Sequence, residues 1–379
     1  MFELDFDTDL IDVPEQAESE NTISYPLDLN IQSAEGSFLI DNNGKYYLDL
    51  TSNKECNPLG YSFISQIENG YLFDSELFRT TDSLNLENLL TSITGLNKAV
   101  FTSSKLQSYN ICGNLIKTYL KSVLKNRILI SCISRNRTNY NFENITADFI
   151  PLNNDNIAKS LLNKSIGAVI IDIAQIGEEI NIATTEYLTV LRNLCNKYGA
   201  LLIFDTTSLS PLRTLKGLFN FDLNNVKPDI LIISNSVAQG IPFGALILSD
   251  KLNDLPGTGS TILACKSAFK FINECIQPET QGIIKNNASY LEKSLNELTN
   301  KFITVADVLS YGMLFTFILD ISAYDFVREA LKKGIIVEAI NSRTIKLSPP
   351  YNISKEEIDR LMIGFEEILD NLARYDRLI

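Results

Sequence analysis

The chain has 379 residues, 45% of them hydrophobic and 21% charged, with a formal net charge of −13 and no histidine. Its length, well beyond the roughly 150 residues of a typical domain, predicts two lobes, and its composition is that of a globular protein. The missing histidine excludes Ser-His and Cys-His triads and His-metal sites, and six scattered cysteines without a C-x-x-C pair supply no zinc spacing, so no metal is expected and the thiols read as small buried groups in a reducing compartment.

The acidic excess is concentrated at the start of the chain. Residues 1–44 hold eleven Asp or Glu and no Lys or Arg, whereas residues 45–379 hold 35 acidic and all 33 basic side chains. An acidic arm on a nearly neutral body argues against nucleic-acid binding, which sets Lys and Arg against phosphates. The arm, residues 1–35, opens MFELDFDTDL, with neither the basic nor the apolar region of a secretory signal. No run of about 18 apolar residues is present to span a membrane, and a cytoplasmic location is expected. Phe2, Leu4 and Phe6 alternate with acids, as in a solvated terminus or a segment that docks on a partner's strand edge or groove.

Residues 36–50 read as a hairpin, because FLIDNNGKYYLDL places two alternating strands around Asn43-Gly44. A large lobe over 51–255 follows. In it KAVFT (98–102), RILISC (127–132), IGAVIID (166–172), ALLIFD (200–205), DILIIS (229–234) and GALILS (244–249) predict strands buried on both faces, separated by helical patterns such as 106–124 and 185–199. The segment 256–379 carries two helical stretches, strands near 314–320, 335–337 and 344–348, and a helix from Ser354, which makes a capping box with Glu357. The fold class is therefore α/β, a large mostly parallel sheet with helices on both faces plus a smaller α+β C-terminal domain.

Ligands of open parallel sheets bind beyond the carboxyl ends of the strands. Those ends carry Ser103-Ser104-Lys105, Ser134 to Thr138, Asp172 and Gln175, Asp205 to Ser208, and Ser234-Asn235-Ser236. Their convergence predicts a polar small-molecule site.

Taken in order, GKYYLDLTSNKECNPLGYS, KAVFTSS, SRNRT, the strand ending in Asp172, ALLIFD with PLRT, KPDILIISNSVAQGIPFGALILSD, GTGST and TIKLSPPYNISKEEID resemble the class III pyridoxal-phosphate aminotransferases. The acetylornithine and ornithine branch is nearest, and the resemblance runs from about residue 36 to the C-terminus. It implies the PLP-dependent transferase fold of aspartate aminotransferase type and a twofold dimer whose active sites are completed across the interface. It also implies a Schiff-base lysine, an Asp paired with the ring nitrogen, a helix N-terminus for the phosphate, a stacked aromatic and an Arg for the substrate carboxylate.

Residue by residue, Asp205 matches the ring-nitrogen Asp and Ser104 the phosphate Ser. Arg137 matches the carboxylate Arg, and Thr261 the Thr lent to a neighbouring subunit's phosphate; Gln175 and Arg213-Thr214 also match. The departures gather in the same pocket. Asn235 occupies the Schiff-base lysine position, Lys105 a glycine position, Ser134 the aromatic position and Asn53 another glycine position, while Lys346 replaces an Arg. These departures lead to the expectation of a pseudoenzyme, an aminotransferase-like chain with no catalytic residue and no cofactor. It would act as a binding or regulatory subunit in a homodimer or in a heterodimer with a lysine-bearing homologue. Two alternatives accompany it: a non-catalytic sensor holding the carboxylate of an amino acid or 2-oxo acid at Arg137, and a divergent active aminotransferase of the acetylornithine or ornithine type using pyridoxal phosphate.

Overall fold

The structure, a computed structural model, describes residues 31–66, 80–132, 145–177, 179–252 and 259–375. Most of the acidic arm (1–30) lies outside the described residues, as do Ser134 and Arg137. The described chain begins with three antiparallel strands, β1 (Ile31–Glu35), β2 (Phe38–Asp41) and β3 (Tyr46–Asp49). Asp41 Oδ1 accepts the N–H groups of Asn43 (2.8 Å) and Lys45 (2.9 Å) and fixes the turn read at Asn43-Gly44. Next comes α1 (Ser52–Glu55), a single left-handed turn in which all four residues have positive φ, between 49° and 70°.

That turn is costly, since each L-residue in the left-handed region pays roughly 1–2 kcal/mol. Asp49 compensates by accepting bonds from Thr51 N (2.8 Å), Asn53 N (2.8 Å) and the Tyr61 hydroxyl (2.6 Å), while Ser52 Oγ donates to Ser348 O (2.6 Å). Asn53 has a φ of 53°, in the left-handed region, which Asn tolerates better than most residues.

The large sheet is built from β4 (Lys98–Thr102), β5 (Arg127–Ser131), β6 (Thr146–Phe149), β7 (Ile166–Asp172), β10 (Leu201–Asp205), β11 (Ile230–Ser234) and β12 (Gly244–Leu248), with the hairpin β8 (Ala174–Ile176) and β9 (Ile180–Ile182) at one end. Helices α2 (Thr81–Thr94), α3 (Lys105–Ser122), α4 (Asp155–Leu161) and α5 (Thr185–Tyr198) connect them. The strand order is β4-β12-β11-β10-β7-β5-β6; β12 runs antiparallel to both neighbours and the other pairings are parallel. Successive strand residues alternate between two apolar layers. Leu201 and Ile203 join the layer under α3 with Cys112, Ile116 and Leu120, and Leu202 and Phe204 join the opposite layer with Leu188 and Leu191 of α5. Both faces are covered, so the strands must be apolar throughout.

After the sheet come α6 (Ile262–Cys275), α7 (Pro278–Lys301), β13 (Val305–Ser310), β14 (Phe315–Leu319), α8 (Ala323–Lys332), β15 (Ile335–Ile336), β16 (Glu338–Ala339), β17 (Thr344–Leu347) and α9 (Lys355–Tyr375). An antiparallel sheet of order β13-β14-β17-β16 forms here, while β15 pairs parallel with β3 and joins the N-terminal strands to this end. Phe326 and Phe365 pack edge to face at 4.9 Å between α8 and α9. Ser354 and Glu357 cap α9 reciprocally, Glu357 N donating to Ser354 Oγ and Ser354 N to Glu357 Oε2. One apolar core runs unbroken from Phe204 through Phe271 to Phe317 and Phe365. No described helix is long and apolar enough to cross a membrane.

Candidate functional site

The polar residues at the carboxyl edge of the large sheet are brought together by register. Asp205 and Asp172 are paired positions of β10 and β7, and Ser234, Gly244 and Thr102 stand in line across β11, β12 and β4. Asp205, 8% exposed, accepts bonds at Oδ1 from Thr207 N (3.0 Å) and Thr207 Oγ1 (2.7 Å). Asp172 Oδ1 accepts from Ser208 Oγ (3.0 Å). Burial, and then the charge of Asp205, push the Asp172 carboxyl well above the ordinary range, with Ser208 and the positive charge of Lys105 acting against them. The edge therefore concentrates negative charge that a cation would offset.

α3 begins at this edge. Ser104 is its N-cap, with Oγ accepting the Gln107 N–H (3.2 Å), and Ser104 O accepts from Ser108 N. The N–H groups of Lys105 and Leu106, in the first turn, have no partner within the helix and lie at the end suited to an anion. The helix end is held to the sheet by Thr102, whose Oγ1 donates to Ser104 O (2.9 Å) and shares a 2.7 Å bond with Ser108 Oγ. Gly244 makes this approach possible. A Cβ there would meet Thr102 Oγ1 and Ser108 Oγ and stand 2.8 Å from Ser104 O. Gly244→Ala is expected to cost about 1–3 kcal/mol of stability, as overpacking does, which chemical unfolding measures.

Two residues that sequence reasoning passed over complete the site. Tyr109, one turn into α3, places its hydroxyl 2.7 Å from Thr207 Oγ1 and also interacts with Asp205; burial first, then that charge, raise its ionisation far above the usual range, so it stays a neutral phenol. Cys56, which follows the left-handed turn, accepts a bond from Asn235 Nδ2 (3.0 Å). Burial raises the Cys56 thiol, opposed by Asn235 and Lys105. Lys105 reaches into the same space with Nζ 5.5 Å from the Tyr109 ring centroid. The i, i+4 spacing of Lys105 and Tyr109, which puts both on one helix face, was the available signal.

The structure thus brings Ser104, Asp205 and Asn235 to one edge. Thr261 is the N-cap of α6, its Oγ1 accepting Ala264 N (3.1 Å), and is exposed. Gln175 Nε2 donates to Ser131 Oγ (3.0 Å), and Arg213 lies buried in an ion pair with Glu55 (2.8 Å). Among the described residues no cluster of acids and thiols is arranged to hold a metal ion.

A family model described as aminotransferase class-III matches residues 143–369, more than half of the chain. The chain belongs to the class-III aminotransferases. Acetylornithine aminotransferase of Methanocaldococcus jannaschii is 23% identical over 370 residues, covering 89% of this chain and 93% of its own. Succinylornithine transaminase of Salmonella newport is 26% identical, covering 88% and 91%. In structure, the chain matches N-acetylornithine aminotransferase from Stenotrophomonas maltophilia with a TM-score of 0.80 at 18% identity, over 93% of this chain and 98% of that one. The ornithine aminotransferase of Toxoplasma gondii gives 0.79 at 18%, over 93% and 92%. The mostly parallel sheet with helices on both faces is the fold of these PLP-dependent enzymes.

This membership corrects the expectation of a pseudoenzyme. Relatives at 23–26% identity over most of the chain are acetylornithine and succinylornithine aminotransferases, and the comparison favours an active aminotransferase. The expectation weighed Asn235 and Lys105 as losses within one pocket, and the fold does place both beside Cys56; it is the relatives that count against a pseudoenzyme. Members of this family use pyridoxal phosphate, and the described residues suit its ring-nitrogen and phosphate-bearing ends. The Asp172-Asp205 pair matches a protonated ring nitrogen, and the start of α3 matches a phosphate, while position 235 offers an amide and no amine.

Proposed function

We propose that the chain is a pyridoxal-phosphate-dependent aminotransferase that takes the amino group from ornithine or an N-acylated ornithine and works as a cytoplasmic homodimer. The observation that carries this reading is the charge balance at the sheet edge: two register-paired carboxylates, one raised by burial and by its neighbour, stand beside a helix N-terminus. A ligand with a cationic ring nitrogen and an anionic phosphate complements both. When bound, the cofactor supplies an electron sink and a carbonyl carbon that accepts the amino group.

The chain's own residues have separable tasks. Thr207 fixes the Asp205 carboxylate through main-chain and side-chain bonds, so that it holds a proton on the ring nitrogen. Ser104 and the first N–H groups of α3 take the phosphate. Family motif order assigns the substrate carboxylate to Arg137 and the neighbouring subunit's phosphate to Thr261. Six cysteines with no disulfide among them are in keeping with a reducing compartment.

Supplied with the cofactor and a 2-oxo acid, the purified chain is expected to convert N-acetylornithine, succinylornithine or ornithine to the corresponding aldehyde while forming a new amino acid, both followed by chromatography. No transfer from any of the three donors at saturating cofactor would overturn the proposal.

A further inference from the structure

We infer that Lys105, in place of residue 235, supplies the amine that holds the cofactor covalently and moves the proton during amino transfer. The inference rests on the aminotransferase reading above. It begins from a deficit of the site, since Asn235 carries an amide whose nitrogen lone pair is delocalised, and that amide is engaged with Cys56 Sγ at 3.0 Å. An amine must come from elsewhere in the fold.

Two other lysines stand against carboxylates. Lys346 Nζ lies 3.2 Å from Glu338 and is almost fully buried, and Lys266 Nζ lies 4.0 Å from Asp82. Lys105 is placed differently. It is the first residue of α3, immediately after the Ser104 cap, so its four-carbon stem starts beside the phosphate position. Its Nζ stands over the ring of Tyr109, whose hydroxyl meets Thr207, the residue that fixes Asp205. Its charge acts on both Asp172 and Cys56. One half-exposed lysine therefore stands among the groups attributed to the ring nitrogen, the phosphate and the former lysine position.

The step balances without an added reagent. The Lys105 ammonium gives one proton to water, and the neutral Nζ then bonds to the cofactor's aldehyde carbon. A C=N bond replaces C=O, and the oxygen leaves as one water. When the donor's amine displaces Lys105, the free Nζ is again a base within the site.

Borohydride reduction of the chain with stoichiometric pyridoxal phosphate, followed by peptide mapping, tests the inference. The expected result is one reduced label per chain, on Lys105, and much weaker labelling by pyridoxal lacking the phosphate. Lys105→Arg, which keeps the charge, should lose the label and the visible absorbance of the bound cofactor while keeping the wild-type melting temperature. Adding Asn235→Lys to that variant should return a label at position 235. A label on another lysine in the wild type, or an unchanged label in Lys105→Arg, overturns the inference. Amino transfer that persists in Lys105→Arg does so too, while leaving the aminotransferase reading intact; a wild type that neither labels nor transfers overturns both.

Discussion

Replacing Arg213 with alanine is expected to destabilise the protein by about 3–5 kcal/mol at neutral pH, the cost of leaving a buried charge without its partner. Arg213 is fully buried and makes bonds from three nitrogens. Nε donates to Glu55 Oε2 (2.8 Å), Nη1 to Pro349 O (2.6 Å) and Met313 O (3.2 Å), and Nη2 to Ser52 Oγ (3.4 Å); the guanidinium also lies 4.5 Å from the Tyr351 ring centroid. It thereby ties the left-handed turn to the C-terminal segments. Without it Glu55 keeps, among the described residues, Ser210 N (3.1 Å), Ser210 Oγ (2.8 Å) and the charge of Lys346.

The pH dependence separates charge from packing. Burial pushes the Glu55 carboxyl up, but Arg213, Lys346 and Ser210 outweigh it and hold it below the usual value. A depressed folded-state value stabilises the protein above the ordinary glutamate range, and that stability is lost as pH falls through the depressed value. Arg213→Ala removes the depression, so its deficit against the wild type should be largest at pH 7 and shrink near pH 4. Urea unfolding at the two pH values measures this. An equal deficit at both would trace the loss to packing on Tyr351 instead.

The architecture was legible because its causes are local or periodic. A sheet covered on both faces requires continuous apolar strands, and runs such as Leu201–Asp205 and Ile230–Ser234 stand where their text places them. The Asn43-Gly44 hairpin and the Ser354-Glu357 cap are similarly short-range. The site was legible as far as strand ends define it, which covers Asp172, Asp205 and Asn235. What stayed hidden depends on register and on side-chain direction. Tyr109 meets Thr207 across 98 positions, and Arg213 meets Glu55 across 158. The left-handed turn at Ser52–Glu55 has no glycine to announce it. Lys105 was legible as a residue beyond a strand end, but the direction of its side chain, over the Tyr109 ring, was not.

Asp205→Asn is the substitution expected to cost most in activity, on the order of 10²–10³-fold in kcat, the range for removing one preorganised electrostatic group. Asparagine keeps the shape and can still accept from Thr207, so the framework around β10 should stand. It loses the charge that, in the proposed function, favours a proton on the cofactor's ring nitrogen, so kcat should fall more than substrate KM rises. The same charge is the second cause, after burial, of the raised Asp172 carboxyl. A raised folded-state value costs stability above it, and the cost is relieved as pH falls through it. Removing the Asp205 charge should therefore lower the Asp172 value toward the ordinary carboxylate range and make the cofactor-free protein more stable at neutral pH. Carboxyl titration by NMR and unfolding at pH 7 give the two readings. A variant less active yet more stable would mean that the sheet edge carries electrostatic strain retained for its chemistry, whereas an unchanged Asp172 would show that the two carboxylates do not share a field.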